Sequence, residues 1–209
     1  MRRTKEEAEN TREDILNAAT RLFSEKGVVR CTLEEIAKEA NVTRGAIYWH
    51  FKNKLEIFEA LFQRLHRPVI DMLMADLEKD HPEPLLQLQE LCTNMLVNLE
   101  HDEHKRQALE LFILKCDYSG ELAVYKDLHC CSKSEKRQAF CRYFEKAKTK
   151  GKLPPDADPE LLTLAVGCYM RGILSEYLSN PEGFNLSDKA PELMRLFFSQ
   201  FKSADRASS

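Results

Sequence analysis

The sequence predicts an all-α protein of about nine helices, and three observations support this fold class. Ala, Glu, Leu and Lys dominate the composition, and these residues favour helices over strands. Glycine occurs only seven times in 209 residues. Apolar residues recur at helical spacing along most of the chain. From this pattern we expect two domains, an N-terminal three-helix domain over 9–69 and a larger C-terminal helical domain over 70–205.

Composition and charge narrow the classes of function. A hydrophobic content of 43% is sufficient for a buried core. The net charge of -3 speaks against a protein that coats nucleic acid along its whole surface. Residues 1–67 carry 13 basic and 11 acidic side chains, whereas the remainder carries 18 and 23. The front of the chain is therefore slightly basic and the rest is acidic.

The sequence shows no pattern of a membrane segment. Its start, MRRTKEEAEN, is polar, and the longest mostly apolar run, 161–170, is far shorter than the roughly 20 residues that a membrane span needs. Seven cysteines, an odd number without regular spacing, favour reduced thiols over a disulfide framework. We therefore expect a cytoplasmic protein without a membrane partner, and we expect no cofactor.

The first predicted helix runs from Thr11 to Lys26. Its apolar residues share one stripe because they follow the spacing i, i+3, i+4, i+7, i+8. They are Ile15, Ala18, Ala19, Leu22 and Phe23. Gly27 then supplies the left-handed residue that ends the helix.

A helix-turn-helix pattern follows. Thr32, with Glu35 three residues later, forms a capping box that starts a second helix ending near Ala40. The next three residues, Asn-Val-Thr, form a tight turn, and Thr43 caps a third helix that ends near Phe51. A helix, a tight turn and another helix are typical of this motif.

The rest of the chain is a series of further helices. Asn53 and Glu56 repeat the capping pattern and open a long fourth helix. Pro68 lies inside that pattern, where a proline costs about 3 kcal/mol, so we expect a kink or break there and treat it as a hinge candidate. After a loop at 80–84, the spacing predicts helices over 85–100, 105–116, 121–150, 159–179 and 188–202.

The segment TRGAIYWHFKNK, residues 43–54, combines three aromatic rings with an arginine, a histidine and two lysines. If Ile47 faces the core, the helical rotation turns Tyr48 and Trp49 toward solvent. Arg44 then projects from the exposed first turn. Exposed rings beside cations suit a surface that lies on DNA phosphates and sugars. The alternative is that both rings are core or interface residues and that the lysines form an ordinary solvated face.

Within such a DNA-binding surface, different residue types have different roles. Arg44 is able to bind guanine O6 and N7 in the major groove, and Gly45 allows a close approach of the backbone. The start of the second helix, near Thr32 and Leu33, offers amides and a hydroxyl to a phosphate. Further donors to phosphates are the side chains of Tyr48, Trp49, His50, Lys52 and Lys54.

Residues 11–61 resemble the N-terminal DNA-binding domain of TetR-family transcriptional repressors almost position by position. The core VTRGAIYWHFKNK and the opening RRTKEEAENTR resemble most closely the AcrR-like branch, which represses multidrug efflux pump operons. Two later stretches, LFILKCDYSGELAVY at 111–125 and GFNLSDKAPEL at 183–193, are similar to the regulatory domain of that branch.

This resemblance implies a ligand-released repressor without catalytic activity. It implies a homodimer that binds a pseudo-palindromic double-stranded DNA operator. It also implies a C-terminal cavity for a small-molecule inducer, such as a drug, a dye or a bile-salt-like amphiphile. The residues that the family pattern places on DNA are Thr32, Thr43, Arg44, Gly45, Tyr48, Trp49, His50 and Lys54.

The last two predicted helices carry an apolar arc that is broader than docking on their own core requires, which indicates a subunit interface. Its residues are Leu161, Leu162, Ala165, Val166, Tyr169, Ile173, Leu193, Leu196, Phe197, Phe198 and Phe201. We expect a dimer seam of four helices, two from each subunit. The two-fold axis then presents two copies of the helix-turn-helix, which we call the reading heads, to DNA half-sites. The half-sites are about 34 Å apart or a multiple of this distance.

For the inducer cavity, the sequence offers aromatic and polarizable residues with a few polar ones. The candidates are His66, Phe112, Cys116, His129, Phe140, Phe144, Met170 and Glu176. Each of them also fits ordinary core packing. A buried Glu176 would favour cationic drugs or dyes, because an unpaired interior carboxylate is costly until a cation enters.

Two alternative interpretations stand beside this one. The region of Cys130, Cys131 and Cys141 would suit a redox- or metal-responsive repressor of the same fold, although its spacing lacks the close pairs of a structural zinc site. An enzyme is the other class, but the sequence has no G-x-S-x-G, no Gly-rich phosphate loop and no H-E-x-x-H motif. We therefore expect no catalysis.

Overall fold

The computed structural model describes residues 5–123 and 125–201, and the side chains of residue 121 and of residues 127–133 lie outside this description. The described backbone consists of helices and connecting turns without a β-strand, which confirms the all-α prediction. The helices are α1 (Lys5–Lys26), α2 (Leu33–Glu39), α3 (Arg44–His50), α4 (Lys54–Leu77), α5 (Pro84–Glu100), α6 (Glu103–Glu110), α7 (Tyr125–Thr149), α8 (Pro159–Ser179) and α9 (Leu186–Ser199). None of these described helices combines the length and the apolar composition that crossing a membrane requires.

Two short turns and one early helix start depart from the predicted boundaries. A π-helical turn at Leu111–Lys115 follows α6, and a 3₁₀ turn at Gly120–Leu122 precedes α7. The first helix begins at Lys5 and not at Thr11. Thr11 lies in the second turn of this helix, and its hydroxyl donates to the Glu7 carbonyl one turn earlier (2.8 Å). The first turn of α1 is polar and has no apolar spacing. A prediction that relied on the apolar stripe therefore placed the start of the helix too late.

The chain divides into two compact units. The first comprises the described residues up to Arg67 together with His104–Leu128, and the second comprises Pro68–Glu103 and the described residues from His129 onward. The division falls within α4, yet the helix runs through Pro68 without a break. Of the expected kink or break, the break is therefore wrong, and the role of Pro68 as a hinge stays a prediction. A proline removes one N–H donor from a helix of 24 residues, and the bonds of the flanking turns persist.

The first unit is built around one apolar cluster. Ile15 and Ala18 on the predicted stripe of α1 are fully buried, and Ile36 of α2 and Ile47 of α3 insert into the same cluster. The cluster also contains residues that follow α5 in the sequence, namely Ala108, Leu111, Phe112 and Leu122. The helix-turn-helix and the 104–128 segment therefore share one core.

Local hydrogen bonds end α1 and start α2 as predicted. Gly27 has a φ of +79°, a left-handed conformation that suits glycine, and its N–H donates to the Phe23 carbonyl (3.0 Å). The Thr32 hydroxyl accepts from the Glu35 N–H (3.2 Å), and the Glu35 carboxylate accepts from the Thr32 N–H (2.9 Å). The predicted capping box is therefore confirmed.

The turn between α2 and α3 has the hydrogen bonds of a Schellman motif. Asn41 has a φ of +52°, a left-handed conformation that asparagine tolerates better than most residues. The Val42 N–H donates to the Ala37 carbonyl (2.9 Å), and the Asn41 N–H donates to the Lys38 carbonyl (3.2 Å). Val42 also packs on the core cluster. This turn fixes the direction in which α3 leaves α2.

In the second unit, hydrogen bonds from a buried and a half-buried tyrosine connect neighbouring helices. Tyr143 of α7 donates to the Asp76 carboxylate (2.9 Å), and burial together with this contact raises the pKa of Tyr143 well above its usual range. Tyr169 of α8 donates to the Leu193 carbonyl of α9 (2.9 Å) and stacks on Phe197 with 5.0 Å between the ring centroids. The first bond joins α7 to α4, and the second joins α8 to α9.

The capping box makes the stability of the first unit depend on pH. Hydrogen bonds from Lys26 and Thr32 lower the pKa of Glu35 from its ordinary value of 4.5 to about 2. Because the folded chain has the lower pKa, the carboxylate stabilises it above about pH 4.5, and this contribution is lost as the pH falls toward 2. We expect Glu35→Gln to lower the urea midpoint at neutral pH, with the difference from the unmodified chain shrinking on acidification, as followed by circular dichroism.

The matched control for this measurement is Glu39→Gln. It removes a carboxylate of the same helix, which pairs with Arg21 at 2.9 Å and has no part in the capping box. Equal losses for both variants at every pH would contradict the assigned role of Glu35.

Candidate DNA-binding interface

The short helix α3 turns one side to the core and the other to solvent. Ile47 is fully buried, and Phe51 at the C-terminal cap is buried as well. Tyr48 and Trp49 are 47% and 72% exposed. The Thr43 hydroxyl fixes the start of the helix by accepting a backbone N–H of the first turn (3.2 Å). The predicted orientation is confirmed, and the alternative that places both rings in the core is wrong.

Arg44 projects from the first turn of α3 and contacts two neighbours. Its Cζ lies 5.5 Å from the centroid of the Tyr48 ring, and its Nη2 lies 3.3 Å from Glu34 Oε1. A hydrogen bond with Tyr48 and the charge of Glu34 raise the pKa of Arg44 above its ordinary value. The guanidinium is charged, and its contacts with Tyr48 and Glu34 orient it. Because 67% of the side chain is exposed, it is also accessible to a base edge.

Gly45 and His50 shape the same exposed face. Among the described residues, a Cβ atom at Gly45 would come within 4 Å of Thr43 Oγ1 alone, at 3.9 Å. Internal packing therefore does not require glycine here, whereas a partner close to the backbone would. His50 is half-buried and meets Trp49 edge-on, with 4.5 Å between the ring centroids. The indole is thus supported by a neighbouring ring while most of its surface stays open.

The start of α2 carries the predicted phosphate contacts Thr32 and Leu33. Thr32 is exposed, but its N–H and its hydroxyl both donate to the Glu35 carboxylate (2.9 and 3.1 Å). Leu33 is half-buried, and its side chain packs on the core. A phosphate that approaches this helix start therefore competes with Glu35 for the donors of Thr32.

The two predicted lysines differ in their surroundings. The Lys52 side chain is largely exposed, with its Nζ 4.0 Å from the Glu56 carboxylate. Lys54 Nζ donates to the Val29 carbonyl (2.6 Å) and so connects the start of α4 to the turn after α1. Lys52 is the more accessible cation, whereas Lys54 has a structural contact as well.

Three predicted ligand residues lie in the first unit. Phe112, in the π-helical turn, is buried edge-on against Phe58 (5.2 Å between centroids) and Phe62 (5.5 Å). His66 meets the Phe62 ring at 4.1 Å. Cys116 is half-buried, and burial raises its pKa to about 11. Phe112 and Cys116 thus border the core that supports the helix-turn-helix.

The other predicted ligand residues belong to the second unit. Phe144 and Met170 are buried, and Phe140 is half-buried. Glu176 is exposed at a groove of about 380 Å³ between α8 and α9, so the condition under which it would favour cations, a buried carboxylate, is not met. His129 lies outside the described side chains.

The redox- or metal-responsive alternative gains no support from the part of the chain that the structure describes. No three His, Cys, Asp or Glu side chains are grouped there to hold a metal ion. Cys141 is half-buried, and burial raises its pKa, which lowers the fraction of reactive thiolate. The side chains of Cys130 and Cys131 lie outside the description.

Glu34 is the residue of this surface that sequence reasoning missed. In the sequence, Glu34 is recognisable only as an acidic side chain in the first turn of the second helix. Such a position by itself indicates only a favourable interaction with the helix dipole. The contact with Arg44 depends on the angle between α2 and α3, and that angle becomes known only from the folded turn.

Two family models match the chain. The model described as bacterial regulatory proteins, tetR family, matches residues 15–61. The model described as MAATS-type transcriptional repressor, C-terminal region, matches residues 83–203. Among curated relatives, the HTH-type transcriptional regulator AcrR of Shigella flexneri is 31% identical over 203 residues, which cover 96% of this chain and 93% of the relative.

Solved structures show the same fold at similar identity. NalD, the secondary repressor of the MexAB-OprM multidrug efflux pump in Pseudomonas aeruginosa, matches with a TM-score of 0.79 and 31% identity, covering 93% of this chain and 97% of that chain. A complex of triclosan with SmeT, the repressor of the Stenotrophomonas maltophilia multidrug efflux pump SmeDEF, matches with a TM-score of 0.82 and 29% identity, covering 96% and 95%.

The exposed guanidinium of Arg44 leads to a prediction about base preference. A duplex that the unmodified chain enriches from a random library serves as the preferred sequence. We expect Arg44→Ala to weaken binding to this duplex by about 1–3 kcal/mol and to relax the preference at one base position, because a bidentate contact with guanine is lost. Fluorescence anisotropy with single-position duplex variants measures both effects.

Lys52→Ala is the matched control, since it removes another exposed cation beside α3. It should weaken all duplexes alike and reduce the salt slope of binding by about one, as expected for a phosphate contact. An unchanged base preference in Arg44→Ala would count against a base contact by Arg44.

Proposed function

Because this chain belongs to the TetR family of bacterial regulatory proteins, we propose that it is a repressor that binds operator DNA and releases it when a small hydrophobic or cationic compound binds. The regulated genes would encode a multidrug efflux pump, since NalD and SmeT are described as repressors of such pumps. A regulator of this kind acts in the cytoplasm, where the chromosome is, and it needs no catalytic residue.

One observation carries the DNA-binding part of the proposal. The core anchors α3 through Ile47, and the opposite side presents Arg44, Tyr48 and Trp49 to solvent. An isolated aromatic patch would be an unfavourable surface for a monomeric protein in water. With a base-reading arginine and neighbouring lysines, the same patch fits the sugar-phosphate backbone and the major groove.

A homodimer would supply the second reading head. Leu161 and Leu164 of α8 and Leu196 of α9 are each more than half exposed, whereas Val166 and Phe198 are buried. The predicted apolar arc thus has an inner half that packs within the second unit and an outer half that is open, and Leu164, which was not among its predicted residues, extends the outer half. Burial of the outer half against the same surface of another copy would remove this apolar area from water and would generate two-fold symmetry.

Small residues on α8 suit such a seam. Within the described part of the chain, a Cβ atom at Gly167 or Gly172 would meet nothing within 4 Å. Both glycines are exposed. Their own unit therefore does not need the missing side chains, whereas a facing helix would use the space for close approach.

In this proposal, an inducer would act on the DNA-binding helices by displacing side chains of the 104–128 segment. Phe112 in this segment packs against Phe58 and Phe62 of α4, in the same core as the helix-turn-helix. Phe112 also lies in a π-helical turn, a conformation that is rare and often found at functional sites. A compound that displaced Phe112 would shift α4 and, in a dimer, the separation of the reading heads from the fixed spacing of the half-sites.

A gel-shift assay tests the proposed function directly. The DNA immediately upstream of the encoding gene and a scrambled duplex of equal length serve as probes. Triclosan, which SmeT binds, and the lipophilic cation tetraphenylphosphonium serve as candidate inducers. We expect the upstream duplex to bind at least about tenfold more tightly than the scrambled one and to be released by one of the two compounds.

Equal affinity for both duplexes would contradict the repressor proposal. Release by hydrogen peroxide or zinc, with no effect of either compound, would favour the redox- or metal-responsive alternative instead.

The outer face of α8 leads to a prediction about assembly. Leu164→Glu places a charge in the proposed seam, where its desolvation opposes association, so we expect a monomer in analytical ultracentrifugation. Affinity for a two-half-site duplex should then fall by about 10²–10⁴, because the second head no longer binds at high effective concentration.

Val29→Glu is the control for assembly, because Val29 is as exposed as Leu164 but lies in the turn after α1. This variant should sediment like the unmodified chain. A dimer that persists in Leu164→Glu would exclude the outer face of α8 as the seam.

A further inference from the structure

Glu34, in the first turn of α2, contacts the arginine that is proposed to read DNA. Its Oε1 lies 3.3 Å from Arg44 Nη2, and the two side chains are 57% and 67% exposed. The guanidinium also lies over the Tyr48 ring, with 5.5 Å from Cζ to the centroid. Arg44 is therefore held between a carboxylate and an aromatic face on the side of the helix that would meet DNA.

This ion pair contributes little to the connection of α2 with the rest of the first unit. Lys26 of α1 already pairs with Glu35 of α2 (2.8 Å). Arg21 of α1 pairs with Glu39 of α2 (2.9 Å). The pair across the turn is more exposed than either of these, and exposed pairs add little stability. The main effect of the Glu34–Arg44 pair is therefore on the charge and orientation of the Arg44 guanidinium.

A carboxylate at this position affects phosphates and base edges differently. Phosphates occur on every DNA sequence, and contacts with them supply essentially all non-specific affinity. An unpaired Arg44 would bind any phosphate within reach. Glu34 compensates this charge and repels phosphate oxygens, so non-cognate binding becomes weaker. At a guanine, two aligned acceptors in the major groove replace the lost ion pair, and the guanidinium is already oriented by Tyr48.

We propose that Glu34 is a specificity-determining residue, whose carboxylate positions Arg44 and weakens binding to non-cognate DNA more than to cognate DNA. The inference rests on the proposed function, and it adds one residue that helps the protein to distinguish cognate from non-cognate DNA. Glu34 is a positioning residue in this scheme, because it acts through Arg44 and needs no contact with a base of its own.

The test compares two duplexes and five forms of the full-length chain. One duplex is enriched from a random library by the unmodified chain, and the other is its scrambled counterpart. The forms are the unmodified chain, Glu34→Gln, Glu39→Gln, Arg44→Ala and the double variant Glu34→Gln with Arg44→Ala. Glu39→Gln is the matched control, since it also removes one exposed, paired carboxylate from α2. Dissociation constants are measured by fluorescence anisotropy at three salt concentrations.

We expect Glu34→Gln to tighten binding to the scrambled duplex about fivefold to tenfold and to change binding to the enriched duplex less than about threefold. The salt slope on the scrambled duplex should become steeper by about one, because the released Arg44 forms an additional phosphate contact. Glu39→Gln should change both duplexes alike. In the Arg44→Ala background, Glu34→Gln should leave the ratio of the two affinities unchanged, because phosphate repulsion without Arg44 is the same on any sequence.

Three results separate the possible failures. If the unmodified chain enriches no sequence, the proposed function fails. If it does so but Glu34→Gln behaves like Glu39→Gln, only the role of Glu34 is overturned. If Glu34→Gln alters the preferred base even without Arg44, Glu34 contacts a base itself, for example a cytosine amino group, and the positioning role is wrong.

Discussion

The burial of Ile47 is the constraint on which the proposed DNA-binding surface depends. The helix α3 has only seven residues, so it contains too few turns to be oriented by several core contacts. Ile47 is fully enclosed by the cluster that α1 and α2 form with it. Once this side chain is fixed, a rotation of about 100° per residue places Tyr48 and Trp49 outside. The reading surface is therefore a geometric consequence of core packing.

Features with local causes could be predicted from the sequence. The capping box of Thr32 and Glu35, the left-handed Gly27 and the cap at Thr43 each involve partners within three or four residues. The same holds for Asn53, whose side chain accepts the Glu56 N–H (2.9 Å). Both partners of such bonds stand in one short stretch of sequence, so their pattern predicts the helix boundaries and, with the apolar spacing, the exposed face of α3.

Features with distant partners could not be predicted in this way. The Arg44–Glu34 contact crosses a turn, and the Tyr125 hydroxyl donates to the Leu55 carbonyl (3.2 Å) 70 residues earlier. Such pairs depend on helix angles that periodicity does not contain. Glu176 illustrates the same difficulty, because its exposure depends on which half of a broad apolar arc packs inward. At Pro68, the local rule predicted a kink or break, but the helix is not broken, because the many bonds of a long helix outweigh one missing donor.

The ring of Phe58 connects α1 and α4 with the 104–128 segment. It packs against Phe23 of α1 (6.5 Å between centroids), Phe112 (5.2 Å) and Tyr125 (5.3 Å). Packed interiors have few voids, so a displaced ring must move its neighbours or leave a costly cavity. In the proposed response to an inducer, a shift at Phe112 would therefore be passed to α1 and α4 through one shared side chain. Because α3 is attached to that same core by Ile47, the packing that exposes Tyr48 and Trp49 also connects α3 to the 104–128 segment.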